Sequence, residues 1–170
     1  NFKSDVQQFK VNLTDKEKAL NYLDKASNNE VIKKLPSYNS FIYLNRSLIY
    51  YDQDKFKKSK QNISRLIMQK DFLLLDQSFQ LKILITSIII CYKNSEKNML
   101  DKINDIKDNY SALLKTENHL RDVKFLDLIS KKIVGSDFEK DKSIFLSNIS
   151  DKESKELDII GYNNWVKINI

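Results

Sequence analysis

Two glycines, one proline, one cysteine, one histidine and one tryptophan are all that 170 residues supply of these types. Each scarcity excludes something. Sheet-rich folds draw on glycine-bearing turns, so a chain with so few is expected to be all-helical. Glycine-rich phosphate loops are ruled out on the same ground, and no GxGxxG, GxxxxGK[ST] or GxSxG occurs. A lone Cys91 allows no disulfide framework and no CxxC metal spacing. A lone His119 leaves no HxxxH or ExxH spacing, so neither a metal nor a cofactor is expected. The chain begins at Asn1 rather than Met, so a processed or truncated piece of a longer chain is expected and a missing leader carries no weight.

What is present is the composition of a globular protein: 41% hydrophobic and 31% charged residues, enough for one domain with a sizeable core. Net charge is +6, and the excess is confined to residues 1–85, which hold fifteen basic and nine acidic side chains. Residues 86–170 hold fourteen of each.

Helix starts are legible from capping boxes, in which Ser or Thr caps the first turn and Glu three residues later reaches back. "TDKE" at Thr14 opens a helix carrying Ala19, Leu20, Leu23 and Ala26, and "SDFE" at Ser136 and "SDKE" at Ser150 open two more. Gly135, just before the second box, suits a left-handed C-terminal cap. Pro36 and Ser37 end the first helix and start a second through Phe41, Leu44, Leu48 and Tyr51. After a turn at Asp52–Asp54, a helix over about 55–68 carries Phe56, Ser59, Ile63, Leu66 and Ile67 on one face. Asp76 is the expected N-cap of a helix over 77–92, followed by the polar turn "KNSEKN", a helix over about 99–114 and another over 119–134.

The passage "LKILITSIIICY", residues 81–92, is the most apolar in the chain. Its 16-residue helix spans about 24 Å, short of a hydrocarbon core of about 30 Å. Leu81, Leu84, Ile88 and Cys91 form one stripe, while Phe79, Ile83 and Ile90 form another, so burial on both sides is expected and no transmembrane segment. Sliding the chain by 40 residues pairs Tyr43 with Ile83, Leu44 with Leu84, Ser47 with Ser87 and Ile63 with Ile103.

In "YLNRSLIYYDQDKFKKSKQNISRL" the small residues Ser47 and Ser59 and the aromatics Tyr50 and Phe56 stand where a tetratricopeptide-type repeat has them. The chain thus resembles a divergent tetratricopeptide-like repeat of period about 40 over residues 14–134. The fold this implies is a single all-α domain of seven or eight helices, stacked as antiparallel helical hairpins in an α-α superhelix. Residues 136–170 would supply capping helices, with Trp165, Ile168 and Ile170 closing the open end.

The resemblance implies a non-catalytic protein-interaction or scaffold module. Phe41, Leu44, Leu48 and Tyr51 would line its partner groove, continued by Leu81, Leu84, Ile88 and Cys91, with a protein or peptide partner or the chain's own C-terminal helices in it. The other candidate surface is the basic helix, where Lys55, Lys57, Lys58, Lys60, Arg65 and Lys70 occur with no acidic residue between 55 and 70. Lys57, Lys58 and Arg65 fall opposite the apolar stripe, which is the pattern of a solvated face; its functional alternative is nucleic-acid or polyanion binding.

An enzyme is not expected: Cys91 lies in an aliphatic helix, and His119 is expected as an exposed polar residue at a helix start. Four N-x-S/T sequons occur, at Asn12, Asn45, Asn62 and Asn148, two of them inside expected helices. The residues assign no compartment, and soluble and cytoplasmic is the default expectation.

Overall fold

The structure, a computed structural model, describes residues 16–147 and 158–170. The described residues are all-helical, with no strand among them. They fall into two compact units, the first ending at Glu96 and the second beginning at Lys97, where the sequence reads as one domain. The capping boxes at Thr14 and Ser150 lie outside the described residues.

The first unit contains α1 (Lys16–Ser27), α2 (Tyr38–Asp52), α3 (Phe56–Ile67) and α4 (Gln77–Lys93). α1 stops well before Pro36. Its last turn is diverted by local polar side chains: Ser27 Oγ and Asn28 Nδ2 both donate to the Asp24 carbonyl, and Asn29 Oδ1 accepts from the amides of Val31 and Ile32. A 3-10 turn, Ile32–Lys34, then leads to Ser37 in the left-handed region (φ 56°) and the start of α2.

α2 and α3 pack side by side across the turn at 53–55, in which Asp54 has φ 55°. Two contacts fix their register. The Tyr51 and Phe56 rings meet edge to face at 5.5 Å, and further along Ser47 Oγ donates to the Ser59 carbonyl at 2.9 Å. Ser47 and Ser59 are both fully buried, so the small residues stand where the two helices approach most closely. On α3, Ser59, Ile63 and Leu66 are buried and Phe56 and Ile67 half-buried, which is the inward stripe the spacing foretells.

α4 starts where its cap places it. Asp76 Oδ1 accepts from the amides of Ser78 (2.9 Å) and Phe79 (3.2 Å), satisfying two donors that a helix N-terminus leaves orphaned. Asp76→Ala is expected to lower unfolding free energy by about 1 kcal/mol, whereas Asp76→Ser changes it by a few tenths, as read from urea denaturation midpoints. Leu81, Ile83, Ile85, Ile88, Ile89 and Ile90 have no exposed surface, so both apolar stripes of α4 are largely buried, with Leu84 half-buried. Among the described residues no helix is long and apolar enough to cross a membrane. Thr86, not Ser87, is the fully buried hydroxyl of α4; Ser87 is half-buried and donates to Leu84 of its own helix.

The second unit contains α5 (Met99–Asn109), α6 (Ser111–Leu114), α7 (Leu120–Val134), α8 (Glu139–Ser147) and α9 (Tyr162–Asn169). A break at Tyr110 divides the helix expected over 99–114. Gly135 adopts φ 71°, and the amides of Gly135 and Ser136 close the end of α7 on Lys132 and Lys131. α8 begins at Glu139, later than the "SDFE" box implies, because Asp137 rather than Ser136 meets the Glu139 amide.

A buried polar cluster joins α7 to the C-terminal segment. Tyr162 Oη donates to Asp122 Oδ1 (2.9 Å), His119 Nδ1 lies 2.7 Å from Asp122 Oδ2, and the Tyr162 amide donates to Asp158 Oδ2 (3.2 Å). Arg121 pairs with Asp158 and lays its guanidinium over the Tyr162 ring, which stacks on Phe125 at 4.1 Å. Trp165 meets Phe125 edge to face. His119 is therefore buried, contrary to its expected exposure, because the carboxylate one turn later draws the imidazole inward. Gly161 precedes α9 rather than lying within a longer helix, and of the expected capping set Trp165 is buried while Ile168 is 70% exposed.

Burial, and then the charges of Asp122 and Asp158, push the Tyr162 phenol well above the ordinary tyrosine range. The folded state thus favours the neutral phenol. That contribution is complete below the unfolded tyrosine pKa of about 10 and is lost as pH rises toward the folded value. Urea midpoints between pH 9 and 11 are expected to fall more steeply for the native protein than for Tyr162→Phe.

Candidate interaction surface

The apolar stripe of α3 decides where its cations go. With Ser59, Ile63 and Leu66 turned inward, Lys57, Lys58 and Arg65 are exposed, and Lys60 is half-exposed at the flank. The C-terminal turn of α4 closes against the start of α3: Asn94 Nδ2 donates to the Phe56 carbonyl (3.1 Å) and to the Ile90 carbonyl (2.8 Å). This clamp brings Lys93 to the same surface, its ammonium 5.7 Å from the centre of the Phe56 ring. Ser95, at φ 54°, completes that turn opposite Asp54.

Two depressions result. One, of about 580 Å³, is lined by Lys55, Phe56, Lys57, Lys58, Lys93, Asn94, Ser95 and Asp54. The other, of about 570 Å³, is lined by Lys57, Lys60, Gln61, Ser64, Arg65, Asn94 and Glu96. Lys57 and Asn94 line both, so the two adjoin along α3 and are taken together as a trough.

The charge of this trough is unbalanced. Lys60 pairs with Glu96 and Lys55 donates to Gln53, while Lys58 rests over the Tyr50 ring. Lys57 and Arg65 have no carboxylate partner among the described residues. The first turn of α3 holds no acidic residue and no side-chain cap, so Lys57 and Lys58 add to the positive end of the helix dipole. A depression in the second unit makes the contrast. It measures about 300 Å³, and its charges pair across it, with Lys131 2.5 Å from Asp141.

The groove set lies differently from the basic set. Leu44 is 1% exposed and belongs to the core, and Phe41, Leu48 and Tyr51 are half-buried. Leu81, Ile88 and Cys91 are buried and Leu84 is half-buried. Lys57, Lys58 and Arg65, by contrast, all present their cations to solvent on one surface. The contribution of Lys93, Asn94 and Ser95 was missed, because nothing local in "KNSEKN" indicates that this turn folds against the start of α3.

Asn45 and Asn62 are buried and donate to the carbonyls one turn back, Phe41 and Lys58, which closes both sequons to glycosylation. Asn12 and Asn148 lie outside the described residues. Among the described residues no three His, Cys, Asp or Glu side chains gather as a metal site would need. No family model, no curated protein and no solved structure matches this chain.

Proposed function

We infer that this chain is a non-catalytic protein-interaction module of helical-repeat type, and that its docking face is the basic trough along α3. The observation that carries the reading is the trough itself: six cations from two helices and a turn, of which only Lys60 meets a carboxylate among the described residues. A face that charged and that concave invites an anionic partner, steers its approach and discriminates against basic competitors.

The tetratricopeptide-like part of the reading is supported by the α2–α3 pair. The positions at which that repeat places small residues are Ser47 and Ser59, and these two touch. Stacked antiparallel hairpins in a superhelix remain the proposed architecture.

The test is photo-crosslinking in the native cell from an aryl azide at Gln61, which is exposed on the trough, against the same group at Asn104 in the second unit. A discrete protein adduct from Gln61 that disappears with Lys57→Glu and Arg65→Glu is the expected result. Adducts that nucleases remove would favour the nucleic-acid reading, and none from Gln61 beyond the Asn104 background would overturn the docking face.

A further inference from the structure

The chemistry of the trough narrows the partner, on the footing of the interaction-module reading above. We propose that it binds an extended acidic peptide segment of about five residues, with carboxylates at alternate positions.

Length comes from the helix. From Lys55 to Arg65 the trough runs roughly 15 Å at 1.5 Å per residue, which an extended chain at about 3.3 Å per residue covers in about five residues. Spacing comes from the same geometry. Lys57 and Arg65, eight residues apart on α3, are separated by about 12 Å of rise, and two alternate steps of an extended peptide cover about 13 Å. The first and last of three alternate carboxylates can therefore meet Lys57 and Arg65 together.

Three features favour a peptide over a phosphate polymer. Each of the aromatic rings at the trough already has a lysine over one face, Lys93 over Phe56 and Lys58 over Tyr50, which leaves less aromatic surface on which a base could stack. Gln61 and Ser64 line the trough with groups that both donate and accept, suited to peptide N–H and C=O. The exposed Asp54 carboxylate lines one end of the trough, where it repels a continuous phosphate backbone but can face an uncharged position of a peptide, while Glu96 is taken up by Lys60. Asn94, held by two hydrogen bonds, keeps the shared centre of the trough preformed, so little ordering is left to binding.

The experiment is fluorescence anisotropy of a labelled peptide, Glu-Gly-Glu-Gly-Glu, titrated with the whole chain at 25 and 150 mM salt. Its glutamine counterpart and a thymidine hexanucleotide serve as comparison probes. Saturable binding of the glutamate peptide is expected, at least about tenfold tighter than the glutamine peptide and weakening with salt. Lys57→Glu with Arg65→Glu is expected to weaken it about tenfold or more, and Lys124→Glu in the second unit to leave it unchanged. Tighter binding of the oligonucleotide, or equal binding of the two peptides, would overturn the proposal. So would loss of binding with Lys124→Glu comparable to that of the trough variant. If the peptide fails while Gln61 still crosslinks to a protein in a Lys57-dependent way, the acidic-segment proposal falls and the interaction-module reading stands.

Discussion

Asp122→Ala is expected to destabilise the second unit by about 3–5 kcal/mol, the cost of removing one member of a buried charged network. Asp122 has no exposed surface and receives the Tyr162 hydroxyl on one oxygen and faces the His119 imidazole with the other. The Tyr162 hydroxyl and the His119 ring nitrogen both lose this buried partner in the alanine variant. Asp122→Asn keeps the oxygen for Tyr162 but sets an amide donor or a mismatched tautomer against His119, for an intermediate loss of about 1–3 kcal/mol. Trp165, the only tryptophan, is buried against Phe125 in the same unit, so its fluorescence in a denaturant titration reports the change directly. Unfolding of Asp122→Ala at the native midpoint would remove this cluster from the account of stability.

The second large effect is expected at the α2–α3 crossing. Ser59→Leu forces a branched side chain into a contact where Ser47 Oγ lies 2.9 Å from the Ser59 carbonyl and 3.1 Å from its hydroxyl. Overpacking and the lost hydrogen bond together are expected to cost about 3 kcal/mol, whereas Ser59→Ala, which keeps the close approach, costs about 1 kcal/mol. Circular dichroism in guanidinium measures both. Equal losses would show that small size at position 59 is not what the helix pair requires.

These two sites differ in how far the sequence announces them. Ser47 and Ser59 are legible, because small residues in the middle of two adjacent amphipathic segments mark a close crossing. Asp76 and Gly135 are equally legible, since a cap acts on amides within three residues and the whole interaction lies inside one short stretch. The aliphatic run of 81–92 declares its burial on both faces by having no polar face.

The His119 cluster was not legible, because its parts come from Asp122 one turn away and from Asp158 and Tyr162 about forty residues on. The one local signal is a histidine with an aspartate three residues later at a helix start, a pair that can turn inward together. Ser87 illustrates a register error of another kind. Matching it to Ser47 by sequence offset assumes that the second helix is turned as the first is, yet Thr86 is the residue that reaches the interior. α1 ends early because the side chains of Ser27, Asn28 and Asn29 compete for nearby backbone groups, a local effect that the apolar spacing of the helix does not register.

For the docking surface, the cations of α3 were visible as a run without acids, and their outward direction followed from the opposing apolar stripe. The trough was not visible, because concavity arises from the α4 turn folding against Phe56 through Asn94. Leu35, Met68, Leu73 and Leu74 of the first unit are exposed apolar side chains and offer a rival to the basic trough for contact with a partner.

The most direct measurement is therefore amide chemical-shift mapping of the isotopically labelled chain during titration with Glu-Gly-Glu-Gly-Glu. Shifts concentrated at residues 55–65 and 93–96 are predicted. Shifts concentrated instead around Leu35, Met68, Leu73 and Leu74, or in residues 158–169, would contradict the assignment of the basic trough as the docking face.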